Sequence, residues 1–152
     1  MRRFSRLSAA VLLAAVSLPA LAFGADQVPD VKGDWVGKTH TIIAGRGGHW
    51  PTSIGTFDKP GLYEKDIVIR VTGQSDRRIW GRVITSSKSQ KTEEPFVGEL
   101  TGKDYRHFVT ADTDGYVVGD ISDDNVLSFC YMQAGGPSHS SVVSCTDVRL
   151  KR

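Results

Sequence analysis

The chain has 152 residues, a length that suits one domain with its own hydrophobic core. Its 19 basic and 17 acidic residues nearly balance, and the formal net charge is +2 at pH 7. Because charges of both signs are interspersed, the chain has no electrostatic footprint for nucleic acid or for an anionic membrane surface, and we predict neither as a partner.

The first 22 residues are typical of a secretory signal peptide. Three arginines within the first six residues precede an almost uncharged, apolar run at 7–24, which contains the small-x-small triplet Ala20-Leu21-Ala22. We predict cleavage after Ala22, with Ala25 as the second choice, and therefore a bacterial protein that is periplasmic or secreted. A retained membrane anchor and a twin-arginine signal are the alternatives.

Cleavage after Ala22 changes the charge of the protein. It removes three of the 19 basic residues and none of the 17 acidic ones, so the remaining 130 residues carry a net charge of −1. We divide these residues into an N-terminal linker at 23–32 and a β-barrel domain at 33–152.

The barrel domain is predicted to contain eight short antiparallel strands and no amphipathic helix. Alternating apolar and polar residues define the strands, and clusters of Gly, Asp, Asn and Ser define the turns between them. The predicted strands are 35–43, 65–72, 78–86, 95–100, 105–111, 116–121, 126–133 and 141–150.

Glycines next to aromatic residues recur in three central strands, as in Trp80-Gly81, Phe96-Val97-Gly98 and Tyr116-Val117-Val118-Gly119. Glycine destabilises a strand interior, so this recurrence indicates tight curvature or close packing of rings on neighbouring strands. Together with the short turns, it favours an all-β, up-and-down (meander) barrel over the alternative, an open sandwich.

The two cysteines, Cys130 and Cys145, lie in the last two predicted strands. A hairpin that turns around 135–138 places them directly opposite each other, close enough for a bridge. In an oxidising compartment we therefore predict a disulfide, which contributes about 3 kcal/mol in the chain-entropy model. Two thiols alone are too few ligands for a metal site, so we predict no metal.

The Gly33-x-Trp35 motif that enters the first strand, the run of about eight strands and the late Arg149 together resemble the calycin group of barrels, which includes lipocalins, fatty-acid-binding proteins and avidins. This resemblance implies structural roles for Gly33, Trp35 and Arg149, with Trp35 packed across the closed end of the barrel and Arg149 against it. No residues match the ligand-binding set of a particular calycin family, so the resemblance does not identify a ligand.

Loop lengths indicate where a ligand site lies. In an up-and-down barrel, alternate connections share one rim, and on the predicted boundaries one rim contains the long segments 44–64, 87–94 and 134–140. Long connections and barrel mouths are common binding sites. Rings, donors and cations on this rim are suited to a small planar or anionic ligand. The candidate residues are Arg46, His49, Trp50, Tyr63, Lys88, Lys91 and His139.

The alternative for this rim is purely structural. Trp50 and Tyr63 would pin a long loop to the barrel, while Lys88 and Lys91 would be solvated.

No catalytic or cofactor constellation is found in the sequence. The four histidines lack metal-ligand spacing, no nucleophile elbow or phosphate-binding glycine loop is present, and Asp112-x-Asp114-Gly115 is typical of a hairpin turn rather than a calcium loop. We therefore predict no cofactor and a non-catalytic binding protein for a small ligand.

Two other functions are kept as hypotheses. The first is a protein-binding module, such as an inhibitor of a secreted protease that acts through the loops or the 26–30 arm. Inhibitors of this kind exist among calycin-like proteins, so this is an analogy. The second is an enzyme, although no assembled acid, base and nucleophile can be named. The sequence leaves the oligomeric state open.

Overall fold

Eight antiparallel strands follow one another through the chain. The computed structural model describes residues 27–45, 55–88, 90–122, 125–135 and 140–151, and these contain no helix. The strands are β1 (Gly33–Ala44), β2 (Gly61–Ser75), β3 (Arg78–Ser86), β4 (Lys91–Thr101), β5 (His107–Ala111), β6 (Tyr116–Ile121), β7 (Val126–Gly135) and β8 (Ser140–Leu150). The described residues therefore include no helix that could cross a membrane.

The sheet closes into a barrel. Each strand pairs with its successor, and β1 also pairs with β8, so that Trp35 lies between Ile69 on one side and Leu150 on the other. This confirms the predicted all-β, eight-stranded antiparallel meander and excludes the open sandwich. We call the end with the β1–β2, β3–β4, β5–β6 and β7–β8 connections the mouth, and the opposite end the closed end.

Two strands begin four residues earlier than the sequence predicts. β2 starts at Gly61 instead of 65, and β4 starts at Lys91 instead of 95. The β4 extension is polar, and the β2 extension has the apolar Leu62 on the exposed face, so neither shows the hydrophobic alternation on which strand prediction depends. As a result, Tyr63 and Lys91 lie on strands rather than on loops, and the first two mouth connections shorten to 45–60 and 87–90.

Inward-pointing glycines allow the strands to approach each other closely. A Cβ atom at Gly81 would collide with the backbone oxygen of Arg70 on β2, and one at Gly119 would collide with that of Ser128 on β7. The glycines therefore serve the tight curvature that the sequence indicated.

The closed-end half of the barrel is filled with apolar side chains. Trp35 is only 1% exposed and lies in this core. Other apolar residues of this core include Val71, Ile79, Phe96, Leu100, Phe108, Ile121, Leu127, Phe129 and Val148. The rings of Phe108 and Phe129 meet edge to face at 6.2 Å between centroids, so the rings interlock across this half of the barrel.

Trp35 does not make the contact expected from the calycin resemblance. Arg149 is exposed and pairs with Val36 on the outer face, because the neighbouring Val148 takes the inward position on β8. Trp35 and Arg149 therefore lie on opposite faces of the barrel wall, and the expected contact is wrong. The Trp35 Nε1 group instead donates a hydrogen bond to the backbone oxygen of Val31, at 2.9 Å.

The segment before β1 covers the closed end. Val31 is 3% exposed and belongs to the core, and Val28 packs against the core as a partly buried residue. Gln74 holds this segment from β2: its Oε1 accepts from the Val31 backbone N–H at 2.9 Å, and its Nε2 donates to the Pro29 oxygen at 2.8 Å. Residues 28–31, which the sequence assigned to a linker, are thus part of the packed barrel.

The predicted disulfide is present. Cys130 and Cys145 face each other directly in the β7–β8 pair, in the register that the hairpin at 135–138 predicted. Their neighbours Phe129 and Ser144 point inward, whereas the two cysteines lie on the outer face of the wall.

The Gln74 contacts can be tested by substitution. Gln74→Ala removes two hydrogen bonds that hold residues 29–31, and we expect the free energy of unfolding to fall by about 1–2 kcal/mol. Hydrogen exchange at the Val31 amide should accelerate more than exchange at the mouth. Ser75→Ala, at the next exposed position, is the matched control. Unchanged protection of Val31 in Gln74→Ala would contradict this account.

Candidate functional site

The predicted rim residues are only partly within the described chain. Arg46, His49, Trp50 and His139 lie outside the described residues, so their roles stay predictions. Lys88 is exposed in the β3–β4 connection, and Lys91 is exposed at the start of β4.

Tyr63 is half-buried on β2, directly opposite Thr41 of β1. It shares the inward parity of Lys65 and Ile67, so it belongs to the inner wall near the mouth rather than to a loop.

A cavity of about 90 Å³ with a mixed polar and apolar wall occupies the half of the interior nearest the mouth. The polar part of its wall consists of Thr39, Thr41, Lys65, Thr85, Thr92, Glu94, Asp112, Tyr131, Gln133 and Ser144, and the apolar part consists of Ile67, Ile69, Val83, Val117, Phe129 and Val142. We call this space the upper cavity. The closed-end half below it holds only about 30 Å³ of free space within an apolar wall, so the interior is filled at one end and hollow at the other.

The upper cavity arises because the inward-facing residues of single strands change from apolar at the closed end to polar toward the mouth. On β1 the inward positions pass from Trp35 to Thr39 and Thr41 toward the mouth. On β4 the inward position before the buried Phe96 is Glu94. Because inward and outward residues alternate along a strand, polar residues at successive inward positions are the sequence signal for this cavity.

Hydroxyl groups are hydrogen-bonded to one another across the cavity wall. The Thr41 Oγ1 and Ser144 Oγ atoms lie 2.8 Å apart between β1 and β8, and Thr39 Oγ1 is 3.2 Å from Thr41 Oγ1. On the opposite side, Thr85 Oγ1 and Thr92 Oγ1 lie 2.6 Å apart. A hydroxyl can rotate between donating and accepting, so these pairs can rearrange to bind a guest molecule.

Lys65 is the cation of the upper cavity and is only 6% exposed. Burial lowers the pKa of its ammonium group to about 8, because the charged form loses water, while the nearby Glu94 carboxylate opposes this shift. Glu94 is half-buried on the inner face of β4. The cavity thus contains an amine that is partly neutral near physiological pH.

Tyr131 supplies a hydroxyl on the β7 side. Burial raises its pKa well above the usual range, and the carboxylates of Asp112, Glu94 and Asp114 add to the effect. The Tyr131 hydroxyl therefore stays protonated and available as a donor.

Asp112 is fixed in the β5–β6 turn beside Tyr131. Its Oδ1 accepts hydrogen bonds from the backbone N–H groups of Asp114 and Gly115, at 2.9 and 2.7 Å. A Cβ atom on Gly115 would lie 2.6 Å from the Tyr131 hydroxyl oxygen, so glycine makes room for the ring. The Asp112-x-Asp114-Gly115 segment is the hairpin turn that the sequence predicted.

His107, Asp120 and Ser128 on the outer face are not arranged as a nucleophile–base pair. His107 Nδ1 contacts Asp120 between β5 and β6, whereas Ser128 lies on the far side of Asp120, on β7. In the described part of the chain, no three His, Cys, Asp or Glu side chains are placed to hold a metal ion.

Comparison with protein-family models, with curated proteins and with solved structures finds no match to this chain. What the protein shares with the calycin outline is the eight-stranded antiparallel closed barrel.

The shifted pKa of Lys65 predicts a specific pH dependence of stability. The folded-state value of about 8 lies below the ordinary 10.5, so between these pH values the unfolded chain binds more protons than the folded one. The free energy of unfolding should therefore gain a component that rises from about pH 8 to pH 10.

Urea unfolding at several pH values measures this rise in the free energy of unfolding. The rise should be absent in Lys65→Met and retained in Lys103→Met, which replaces an exposed lysine at the closed end. Equal pH profiles for the two variants would show that Lys65 is solvated in the folded protein.

Proposed function

We propose that this protein is an exported, non-catalytic binding protein with a calycin-like barrel, whose ligand is a small polar molecule held in the upper cavity. The observation that carries this proposal is the group of polar side chains, Lys65, Glu94 and Tyr131 among them, that line a cavity inside the barrel next to its longest connection. The mouth connections would complete the site around the buried end of the ligand.

The polarity of the upper cavity supports a binding role. Burying a charged or polar group is unfavourable, so a barrel selected for stability alone would be filled with apolar side chains. The closed-end half shows that this chain can do so, with Leu100 and Val148 completely buried. Local departures from the most stable arrangement are expected at functional sites.

The charges and size of the cavity define the ligand class. Lys65 offers a cation, Glu94 and Asp112 offer carboxylates, and the hydroxyl groups both donate and accept. This wall favours a neutral polar or zwitterionic group over a simple anion. A volume of about 90 Å³ equals that of about three water molecules, so it holds a small molecule or one end of a larger one.

The rest of a larger ligand would extend toward the mouth. Tyr63 lines the inner wall there, and the rim residues Arg46, His49, Trp50, Lys88 and His139 are the proposed contacts. An aromatic ring on this rim would stack on a planar portion of the ligand.

Export is supported by two features. The first 22 residues have the order of a signal peptide, and the Cys130–Cys145 disulfide is consistent with an oxidising compartment. We place the mature protein in the periplasm or outside the cell.

Native mass spectrometry of the protein purified gently from its own periplasm tests the binding function. We expect extra mass that is lost on denaturation and that identifies the ligand class. Thr41→Val should weaken binding of the identified ligand about 10-fold, or about 1.4 kcal/mol, because it removes one inner hydroxyl. Thr72→Val makes the same change at an exposed position and should leave affinity unaltered.

The rim is tested separately by Arg46→Ala combined with Trp50→Ala, which should abolish binding with little change in melting temperature. If native mass spectrometry shows no bound molecule and no metabolite in a panel shifts the melting temperature, the binding function is refuted. Unaltered affinity in the rim variant would confine the site to the upper cavity.

A second candidate function, protein binding, is favoured by the outer surface. One row of directly paired, outward-facing residues is apolar on all eight strands: Leu62, Ile42, Val143, Met132, Tyr116, Ala111, Val97 and Trp80. We call this the outer apolar row. Leu62, Val97 and Tyr116 are 75%, 66% and 64% exposed. Contiguous exposed apolar surface is typical of interaction sites.

The proposed 26–30 arm is less suited to this role, since its residues Val28 and Pro29 are engaged at the closed end. A secreted protein, for instance a protease, would instead contact the barrel wall. Crosslinking in the periplasm followed by affinity capture should recover one partner with the natural protein. Val97→Lys combined with Tyr116→Lys should lose this partner, and the exposed control Lys103→Glu should keep it. Capture of the same partner by the double variant would exclude the outer apolar row.

A further inference from the structure

Lys65 is both buried and in contact with a cavity. Its side chain is buried in the wall of the barrel, yet it lines a space that can hold a small molecule. A lysine amine removed from bulk water is the starting point for covalent chemistry with carbonyl compounds.

We propose that the Lys65 amine captures small aldehydes in the upper cavity and holds them as an imine. This goes beyond reversible binding and shares with the proposed function only the requirement that a small molecule reaches the cavity.

Polar groups from several strands line the cavity that Lys65 faces and bear on the reactivity of its amine. The ionisable groups are Glu94 on β4, Asp112 at the β5–β6 turn and Tyr131 on β7. The groups that do not titrate are the hydroxyls of Thr39, Thr41, Thr85, Thr92 and Ser144, and the amide of Gln133. Burial lowers the pKa of Lys65 to about 8, which leaves about one molecule in ten with a neutral amine at pH 7. An ordinary lysine, with a pKa of about 10.4, has fewer than one in a thousand.

The reaction is a condensation without any change of oxidation state. The lone pair of the neutral Lys65 nitrogen attacks the carbonyl carbon, the new C–N bond forms, and the carbonyl π pair moves to oxygen. The oxygen gains a proton and the nitrogen loses one, which gives a carbinolamine. A second proton on that oxygen allows the C–O bond to break, and water leaves as the nitrogen lone pair forms the C=N bond. This gives a protonated imine, and loss of the remaining N–H proton, which balances the proton taken up in the previous step, leaves the neutral imine. The imine carries the aldehyde carbon, and one water molecule is released.

Tyr131 and Glu94 are placed to assist these proton transfers. The Tyr131 hydroxyl stays protonated, so it can donate a hydrogen bond to the carbonyl oxygen. Glu94 lies near enough to act on the charge of Lys65, and its carboxylate can accept the proton that the nitrogen loses. An aldehyde of two or three carbons suits a cavity of about 90 Å³.

Reductive trapping of the whole mature protein tests this proposal. The protein is incubated with propanal and sodium cyanoborohydride, which reduces an imine to a stable secondary amine, and peptide mapping then locates each added propyl group. At pH 7 we expect Lys65 to be labelled at least about 10-fold faster than Lys59 and Lys103, two exposed lysines in the same molecule. This comparison within one protein needs no variant to fold.

The pH profile and two variants sharpen the test. Labelling of Lys65 should reach half of its maximal rate near pH 8, the value expected for its amine. Glu94→Gln should move this midpoint to lower pH, because the Glu94 carboxylate raises the pKa of Lys65. Lys65→Arg keeps a cation in the wall and should lose labelling at this position only.

Labelling of Lys65 at or below the rate of Lys59 and Lys103 would overturn the imine proposal. If a metabolite still shifts the melting temperature in that case, non-covalent binding stands without imine formation. If Lys65 is labelled selectively but native mass spectrometry shows no bound molecule, the reactive amine is supported and a resident ligand is refuted. The two proposals can thus fail independently.

Discussion

Hydrogen bonding between β1 and β8 is the constraint on which the rest of the structure depends. It removes both edges of the sheet and creates an interior, so that every second residue of each strand points inward. The Thr41–Ser144 hydrogen bond joins residues 103 positions apart across this seam. Without closure, the inward residues would form one face of an open sheet, and neither the apolar core nor the upper cavity would exist.

The enclosed space is used in two different ways along the barrel axis. At the closed end, Trp35 and the interlocked rings of Phe108 and Phe129 fill it, and residues 28–31 cover it. Toward the mouth, hydroxyls, a buried amine and two carboxylates line a hollow. The apolar half supplies the burial that stabilises the barrel, which allows the polar half to depart from the most stable filling.

Much of this architecture could be predicted from the sequence. Period-2 alternation located all eight strands, and β3 and β6 begin and end at the predicted residues. The disulfide followed from counting residues across one hairpin, since pairing fixes which positions are opposite. These features depend on local pattern and register, which one sequence contains.

Other features depend on which face a residue occupies after closure. The first four residues of β2 and of β4 lack the alternation of buried apolar and exposed polar residues that marks a strand, so the sequence predicts Tyr63 in a loop. The calycin resemblance implies that Arg149 packs against Trp35, whereas the inward position belongs to Val148. The sequence does not single out Lys65 and Glu94, because a charged residue on a strand ordinarily faces water. Residues two positions apart on a strand face the same side, so the inward-facing Ile67 of β2 indicates that Lys65 also faces inward.

The seam between β1 and β8 also determines the order of assembly. Seven of the eight strand pairs join neighbours in the chain and can form as hairpins, whereas the seam requires the two ends of the domain to meet. Contacts at such separations form slowly, because the chain must lose the most entropy before they add stability. Until then β1 and β8 are unpaired edges that can bind other extended chains. The Cys130–Cys145 bond, once oxidised, holds β8 in register with β7, so the seam closes from a hairpin that is already aligned and β8 is left with only its β1 side to pair.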